Sequence, residues 1–167
     1  NANGYVSIFL GPLAGALVND DADTTMAGPE GVWAQFGGGL SAGDLNGDGY
    51  DDVAGGAPLF GGRDPKTGYQ GWVGVWFGPL EAGVLDLDSA DVQIEGQSEQ
   101  SGVGGEMAAG SDLDGDGQSD LFFGAGYLEV EGSNITARSA GAAHAWVFLG
   151  PLTAGTYPIT DADGMLS

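Results

Sequence analysis

Apolar residues fall in short alternating runs, separated by stretches rich in Gly, Asp, Asn and Pro. The most apolar runs are Tyr5 to Leu10, Trp72 to Phe77 and His144 to Leu149. Alternation puts Tyr5, Phe9, Trp72, Trp76, Trp146 and Phe148 on one side, and Val6, Ile8, Val73, Val75, Val147 and Leu149 on the other. A period of two predicts strands, and apolar residues on both faces predict a sheet sandwiched between neighbours. Small-residue runs predict further strands at Leu40 to Gly43 and Met107 to Gly110, and mixed runs at Asp52 to Ala57 and Asp120 to Ala125. Weaker strands are expected near Asp23 to Ala27, Asp91 to Glu95 and Asp163 to Leu166.

These runs belong to an internal repeat of roughly seventy residues. Phe9-Leu10-Gly11-Pro12-Leu13 returns as Trp76-Phe77-Gly78-Pro79-Leu80 and as Phe148-Leu149-Gly150-Pro151-Leu152. Ala22-Asp23 returns as Ala90-Asp91 and Ala162-Asp163, in the same order. Each unit reads as strand A (small), B (after an acidic loop), C (bulky) and D (weak). A crowded inner strand and a bulky strand buried on both faces describe a propeller blade. The predicted fold is all-β, a β-propeller-like array of four-stranded antiparallel blades. Residues 1–34 form a partial blade of strands C and D; 35–101 and 102–167 form full blades, the last strand frayed. Closed propellers need about four to eight blades. Two and a half cannot close, so the chain is expected to be a fragment of a longer parent or part of an open multi-chain assembly. Its two ends do not complement each other, because the first half-blade lacks A and B. Asn1 in place of an initiator methionine suggests a processing boundary.

Between strands A and B lie Asp44-x-Asn46-x-Asp48-Gly49-x-x-Asp52 and Asp112-x-Asp114-x-Asp116-Gly117-x-x-Asp120. Oxygen ligands at positions 1, 3 and 5 converge on a hard cation when glycine at position 6 permits a sharp turn. Position 7 would add the backbone carbonyls of Tyr50 and Gln118, and position 9 the carboxylates of Asp52 and Asp120. An EF-hand needs glutamate at position 12, where this chain has Gly55 and Phe123. An all-oxygen set favours calcium over zinc or copper, and magnesium is disfavoured because it keeps its waters. Two calcium ions are expected. Asp, Asn and Gly also make ordinary hairpin turns, but two such loops in register on a repeat favour metal. The balance of charge agrees: 24 acids face only 3 bases, for a formal net charge of −21. Such a surface repels nucleic acid and anionic membranes. No apolar run approaches membrane-spanning length, so no insertion is expected. The chain has no cysteine, so disulfides cannot supply its stability.

At these residues the chain resembles the FG-GAP repeat family, the propeller repeat of integrin α-subunit heads and of many secreted bacterial proteins. The first full unit carries Phe36-Gly37, Gly43-Asp44, the acidic loop and Gly56-Ala57-Pro58. The second is looser: Val103 replaces the phenylalanine, Ser111 is an extra residue before the loop, and Gly124-Ala125-Gly126 lacks the proline. The resemblance implies a seven-bladed propeller with calcium in the A–B hairpins, and extracellular or cell-surface work in adhesion or recognition. It supplies no ligand.

Antiparallel strands place the A–B turns at one end of each blade and the B–C and D–A loops at the other. The long B–C loops, Leu59 to Gln70 and Tyr127 to Gly141, hold every basic residue, and Arg63, Tyr69 and Tyr127 are candidates for binding a protein or glycan partner. Asn134-Ile135-Thr136 is an N-glycosylation sequon, meaningful only in a host that glycosylates. The lone histidine, His144, aligns with Tyr5 and Trp72 and reads as a packing residue; no triad or zinc site is expected, and the chain is not expected to be an enzyme. Three of four tryptophans lie in strand C, which favours core packing over sugar stacking. The leading expectation is a calcium-stabilised extracellular adhesion or scaffold module. The alternatives are a structural subunit of a filament or surface layer, joined to copies of itself through open blade edges, and a non-catalytic accessory region of a secreted enzyme.

Overall fold

The computed structural model describes residues 4–29, 34–61, 70–97, 102–125, 128–131, 134–137 and 144–166. In the first unit the chain forms β1 (Tyr5–Ile8) and β2 (Thr24–Ala27). The second supplies β3 (Leu40–Gly43), β4 (Asp52–Ala57), β5 (Trp72–Trp76), β6 (Gly83–Leu85) and β7 (Val92–Glu95). The third supplies β8 (Val103–Ser111), β9 (Asp120–Ala125), β10 (Leu128–Glu131), β11 (Asn134–Ala137), β12 (His144–Phe148), β13 (Gly155–Pro158) and β14 (Gly164–Leu166). Among the described residues, helix is confined to 3-10 turns at Asn19–Asp21, Leu87–Ser89 and Ile159–Asp161.

The fold is all-β and propeller-like. Strands β3, β4, β5 and β7 lie side by side and antiparallel, as do β8, β9, β12 and β14, so A, B, C and D follow chain order from the inner to the outer edge. Two apolar layers stack these blades. Trp72, Trp76, Phe36 and Met26 are buried in the layer between the first and second units, with Val6 and Ile8 packed against it. Val73, Val75, Phe123, Trp146 and Phe148 are buried in the layer between the second and third. The central C strand, β5, therefore turns its tryptophans toward the preceding blade and its valines toward the next. Edge-on contacts of Phe36 and Trp72 with Trp76, both at 5.9 Å, and stacking of Phe123 on Phe148 at 5.8 Å suit the aromatic quadrupoles. At the inner edge the backbones nearly touch. A Cβ added at Gly43 would lie 2.6 Å from the Cα of Gly110, so a side chain there would force β3 and β8 apart.

Strand β8 is longer than the predicted Met107 to Gly110, and its pairing with β9 shifts between Val103 and Glu106 and again between Ala109 and Ser111. The second shift is the physical form of the extra residue Ser111: one strand carries a residue its partner does not, and a bulge absorbs it. The outer strands begin one residue later than expected, at Thr24, Val92 and Gly164, because the preceding aspartates turn to another task. Their carboxylates accept backbone N–H bonds from the residue two after each C strand or one after it: Leu10 to Asp23 at 2.7 Å, Phe77 to Asp91 at 2.8 Å and Leu149 to Asp163 at 2.9 Å. The recurring Ala-Asp pair is thus a clamp on the C–D connection.

Two features depart from the expected loops. Part of the second B–C connection is a hairpin, β10 paired antiparallel with β11, rather than irregular chain. The C–D connections also hold strands. β6 runs parallel to β2, with Thr24 opposite Gly83, and β13 runs parallel to β7, with Val92 opposite Gly155. The N–H of Gly83 donates to the Asp23 carbonyl at 3.0 Å, and that of Gly155 to the Asp91 carbonyl at 2.8 Å. Each blade thereby sends a short stitch onto the outer strand of the blade before it. Runs of three and four residues that turn glycine toward solvent carry no alternation, which is why sequence periodicity misses them.

Candidate metal centres

Each acidic loop closes a β-hairpin, β3 to β4 and β8 to β9, so its geometry is set by the register of the flanking ladder. Backbone N–H groups then fix the carboxylates. In the earlier loop Asp44 accepts from Gly47 at 2.8 Å, Asp48 at 3.1 Å and Gly49 at 2.9 Å. Asn46 accepts from the Asp48 N–H at 2.9 Å, and Asp48 from the Tyr50 N–H at 2.9 Å. The later loop repeats the pattern: Asp112 accepts from Gly115, Asp116 and Gly117, Asp114 from Asp116, and Asp116 from the Gln118 N–H at 2.8 Å. Gly47, Gly49, Gly115 and Gly117 all hold positive φ, between 79° and 91°, which lets the loop curl around its first aspartate.

Carboxylate oxygens of Asp112, Asp114 and Asp116 lie within 4.8 Å of one another, on exposed side chains. In the earlier loop the middle member is Asn46, whose side-chain amide donates to Asp48 at 3.0 Å. The residues after position 6 have distinct surroundings. The Tyr50 ring is 55% exposed, while Gln118 is half-buried, its Oε1 facing Gly47 of the neighbouring blade.

Asp52 and Asp120 stand apart. Both are buried, at 0% and 1% exposure, where carboxylates are rarely found unless partnered. Asp52 accepts N–H bonds from Leu45 at 2.8 Å, Asn46 at 3.2 Å and Gly78 at 2.8 Å. Asp120 accepts from Leu113 at 2.6 Å and Gly150 at 2.9 Å. These carboxylates therefore tie the A–B loop to the Gly-Pro turn after strand C, a role the sequence spacing did not disclose. Burial pushes the Asp52 carboxyl above its ordinary value, the N–H donors of Gly78, Leu45 and Asn46 oppose that rise, and the nearby Asp48 charge adds to it. A carboxylate offers about four lone-pair sites, so Asp52 keeps about one in reserve and Asp120 about two.

At the opposite end of the blades, a concavity of about 610 Å³ opens between the second and third units, lined by Gln35, Pro58, Glu106 and His144 among others. His144 packs against Trp146 at 5.7 Å, as a strand C residue should, and its buried Nδ1 has no hydrogen-bond partner among the described residues. Arg63, Tyr69 and Tyr127 lie outside the described residues. Asn134 begins β11.

Stacked four-strand antiparallel blades with two-sided cores, each full blade capped by an acidic A–B hairpin, define a β-propeller-like repeat protein. The FG-GAP repeat model matches residues 36–73, from the buried Phe36 through the first acidic loop into β5, so this segment carries an FG-GAP repeat. No curated protein matches it. No helix among the described residues is long and apolar enough to cross a membrane.

Proposed function

We propose that this chain is a calcium-stabilised recognition or scaffold module that works outside the cell, without catalysis of its own. One observation carries the reading: the Asp112, Asp114 and Asp116 carboxylates are held within 4.8 Å of one another by a hairpin. Charges that close repel by about 1 kcal/mol per pair even at water's dielectric, and by more beside a protein surface. A divalent cation converts that repulsion into attraction, and an all-oxygen donor set suits calcium. Asp112, Asp114, Asp116, the Gln118 carbonyl and a spare lone pair of Asp120 would hold one ion. Asp44, Asn46, Asp48, the Tyr50 carbonyl and Asp52 would hold the other, and the cation would favour the ionised form of Asp52 that burial disfavours. The metal's chemistry here is cross-linking of loop to blade.

The partner would be a protein or glycan gripped at the far end of the blades, where the concavity lies in the size range of small-ligand sites. Isothermal titration of the calcium-stripped chain tests this reading. The expected result is two calcium ions per chain with magnesium binding much more weakly; no heat above dilution with calcium would reject it.

A further inference from the structure

The two acidic loops are neighbours in the fold as well as counterparts in the repeat. Their entering strands touch: the Ser41 hydroxyl accepts the Ala109 N–H at 2.7 Å, three residues before Asp44 and Asp112 respectively. Beyond the strands, a run of backbone bonds joins one buried carboxylate to the other. Asp52 accepts from the Leu45 N–H at 2.8 Å, and the Leu45 carbonyl accepts from the Leu152 N–H at 2.7 Å. Leu152 follows Gly150 in the same turn, and the Gly150 N–H donates to Asp120 at 2.9 Å. Leu45 is fully buried and Leu152 packs against the same core layer, so the middle bond lies among apolar side chains.

Gln118 makes a second bridge. Its backbone belongs to the later loop, where its N–H donates to Asp116 at 2.8 Å. Its side chain lies over the earlier loop instead. A Cβ built on Gly47 would come 2.6 Å from the Gln118 Oε1 and 3.6 Å from the Pro151 ring. Gly47 belongs to the curl around Asp44, to which its N–H donates at 2.8 Å. The earlier loop thus closes against a surface supplied by the next unit.

We propose that Gln118 is a positioning residue for the earlier calcium site, and that through it and the Leu45–Leu152 bond each site strengthens the other. This rests on the calcium reading above and adds how the two sites act on one another. An ion-free loop holds repelling carboxylates, which favours open arrangements. Opening the earlier loop removes the acceptor of Leu152 and the seat of Gln118, and so loosens the turn that anchors Asp120. Opening the later loop withdraws Gln118 and loosens the same turn. An ion at either site therefore supplies part of the ordering the other needs, a coupling that acts equally in both directions. Charge alone predicts the opposite sign. An ion bound at one loop lowers the negative potential at the other and weakens the second binding, an effect that salt screens. Packing and buried hydrogen bonds carry no such salt dependence.

Calorimetric calcium titrations of the wild type, Asp44→Ala and Asp112→Ala measure the coupling, with circular dichroism to verify the fold. Each variant lacks the first aspartate of one loop and so reports the other site by itself. The product of the two stepwise association constants in the wild type should exceed the product of the two single-site constants by at least about fivefold, in low and in high salt. In a Gln118→Ala background, which keeps the backbone carbonyl, the same ratio should fall toward one, whatever the substitution does to either site directly. Amide exchange reads the contact from the far side. In Asp112→Ala, calcium at the earlier site should slow exchange of the Leu113 N–H, which donates to Asp120, by a similar factor. Asp44→Asn and Asp112→Asn replace an alanine variant that does not fold. A ratio of one or less, or one that starts below unity and climbs with salt, overturns the coupling and leaves the calcium reading standing. A ratio undiminished by Gln118→Ala overturns the role of Gln118. Absence of calcium heat in every protein overturns the calcium reading itself.

Discussion

At the scale of single residues the two acidic loops differ in one candidate ligand, Asn46 against Asp114, and in how fully the position-9 carboxylate is already occupied. Asp52 accepts three backbone N–H bonds and Asp120 two. Affinity of such loops follows ligand charge, so the later loop should bind calcium more tightly. Exchange of the single differing residue isolates the charge: Asp114→Asn should weaken the later site on the order of tenfold, about 1.4 kcal/mol, and Asn46→Asp should strengthen the earlier one comparably. Two-site calorimetry on both variants reads this directly, and an unchanged order of affinities would mean that charge does not set it. The convergence of Asp112, Asp114 and Asp116 was legible because oxygens at alternate positions around a glycine turn point to one centre. The clamp function of Asp52 and Asp120 was not, because it depends on Gly78 and Gly150, residues 26 and 30 positions away, whose approach only the folded blade creates. The same holds for Asp23, Asp91 and Asp163, which belong to the chain's acidic surplus yet serve as acceptors for backbone N–H groups.

At the scale of elements, the short apolar and small-residue runs located the A, B, C and D strands to within a residue or two, except β8, which begins four residues before the predicted Met107; the C strands were clearest because their burial is written in alternation. The stitches escaped, since strands of three and four residues leave their mark only in a glycine, an equal spacing and one apolar side chain each, Leu85 and Tyr157. Their contribution is testable within one molecule. β6 fastens the first unit to the second through the parallel ladder on β2, reinforced by the buried Thr24 hydroxyl donating to the Glu81 carbonyl at 2.8 Å. Leu85→Pro removes a ladder donor and a core contact together. Hydrogen exchange in β1 and β2 should then accelerate by at least tenfold while β9 and β12 keep their protection, because the second core layer does not include Leu85. Equal loosening of both layers would show that the units are not coupled through their stitches.

At the scale of the whole molecule, stability and charge are one problem. Two bound calcium ions would change the formal charge from −21 to −17, since each would add two positive charges to the sum over the same residues. They would do so where the carboxylates are closest, so the gain would exceed what a uniform screening by salt can supply. Linkage sets the size of the effect: calcium at about 100 times its dissociation constant stabilises by about 2.7 kcal/mol per site, hence about 5 kcal/mol for two. In a chain of this length each kcal/mol shifts the melting temperature by roughly 2–4 °C. Chelation should therefore lower the melting temperature on the order of 10–20 °C, and raising monovalent salt in chelator should restore only part of that. The loops sit at the A–B end, tied by Asp52 and Asp120 to the turns after strand C, and Leu45 of the earlier loop accepts an N–H bond from Leu152 of the next blade at 2.7 Å. Loss of the ions should consequently loosen both full blades in a single transition rather than fray two hairpins separately. Calorimetry that resolves two chelator-sensitive steps, or a melting curve indifferent to chelator, would separate the acidic loops from the stability of the array.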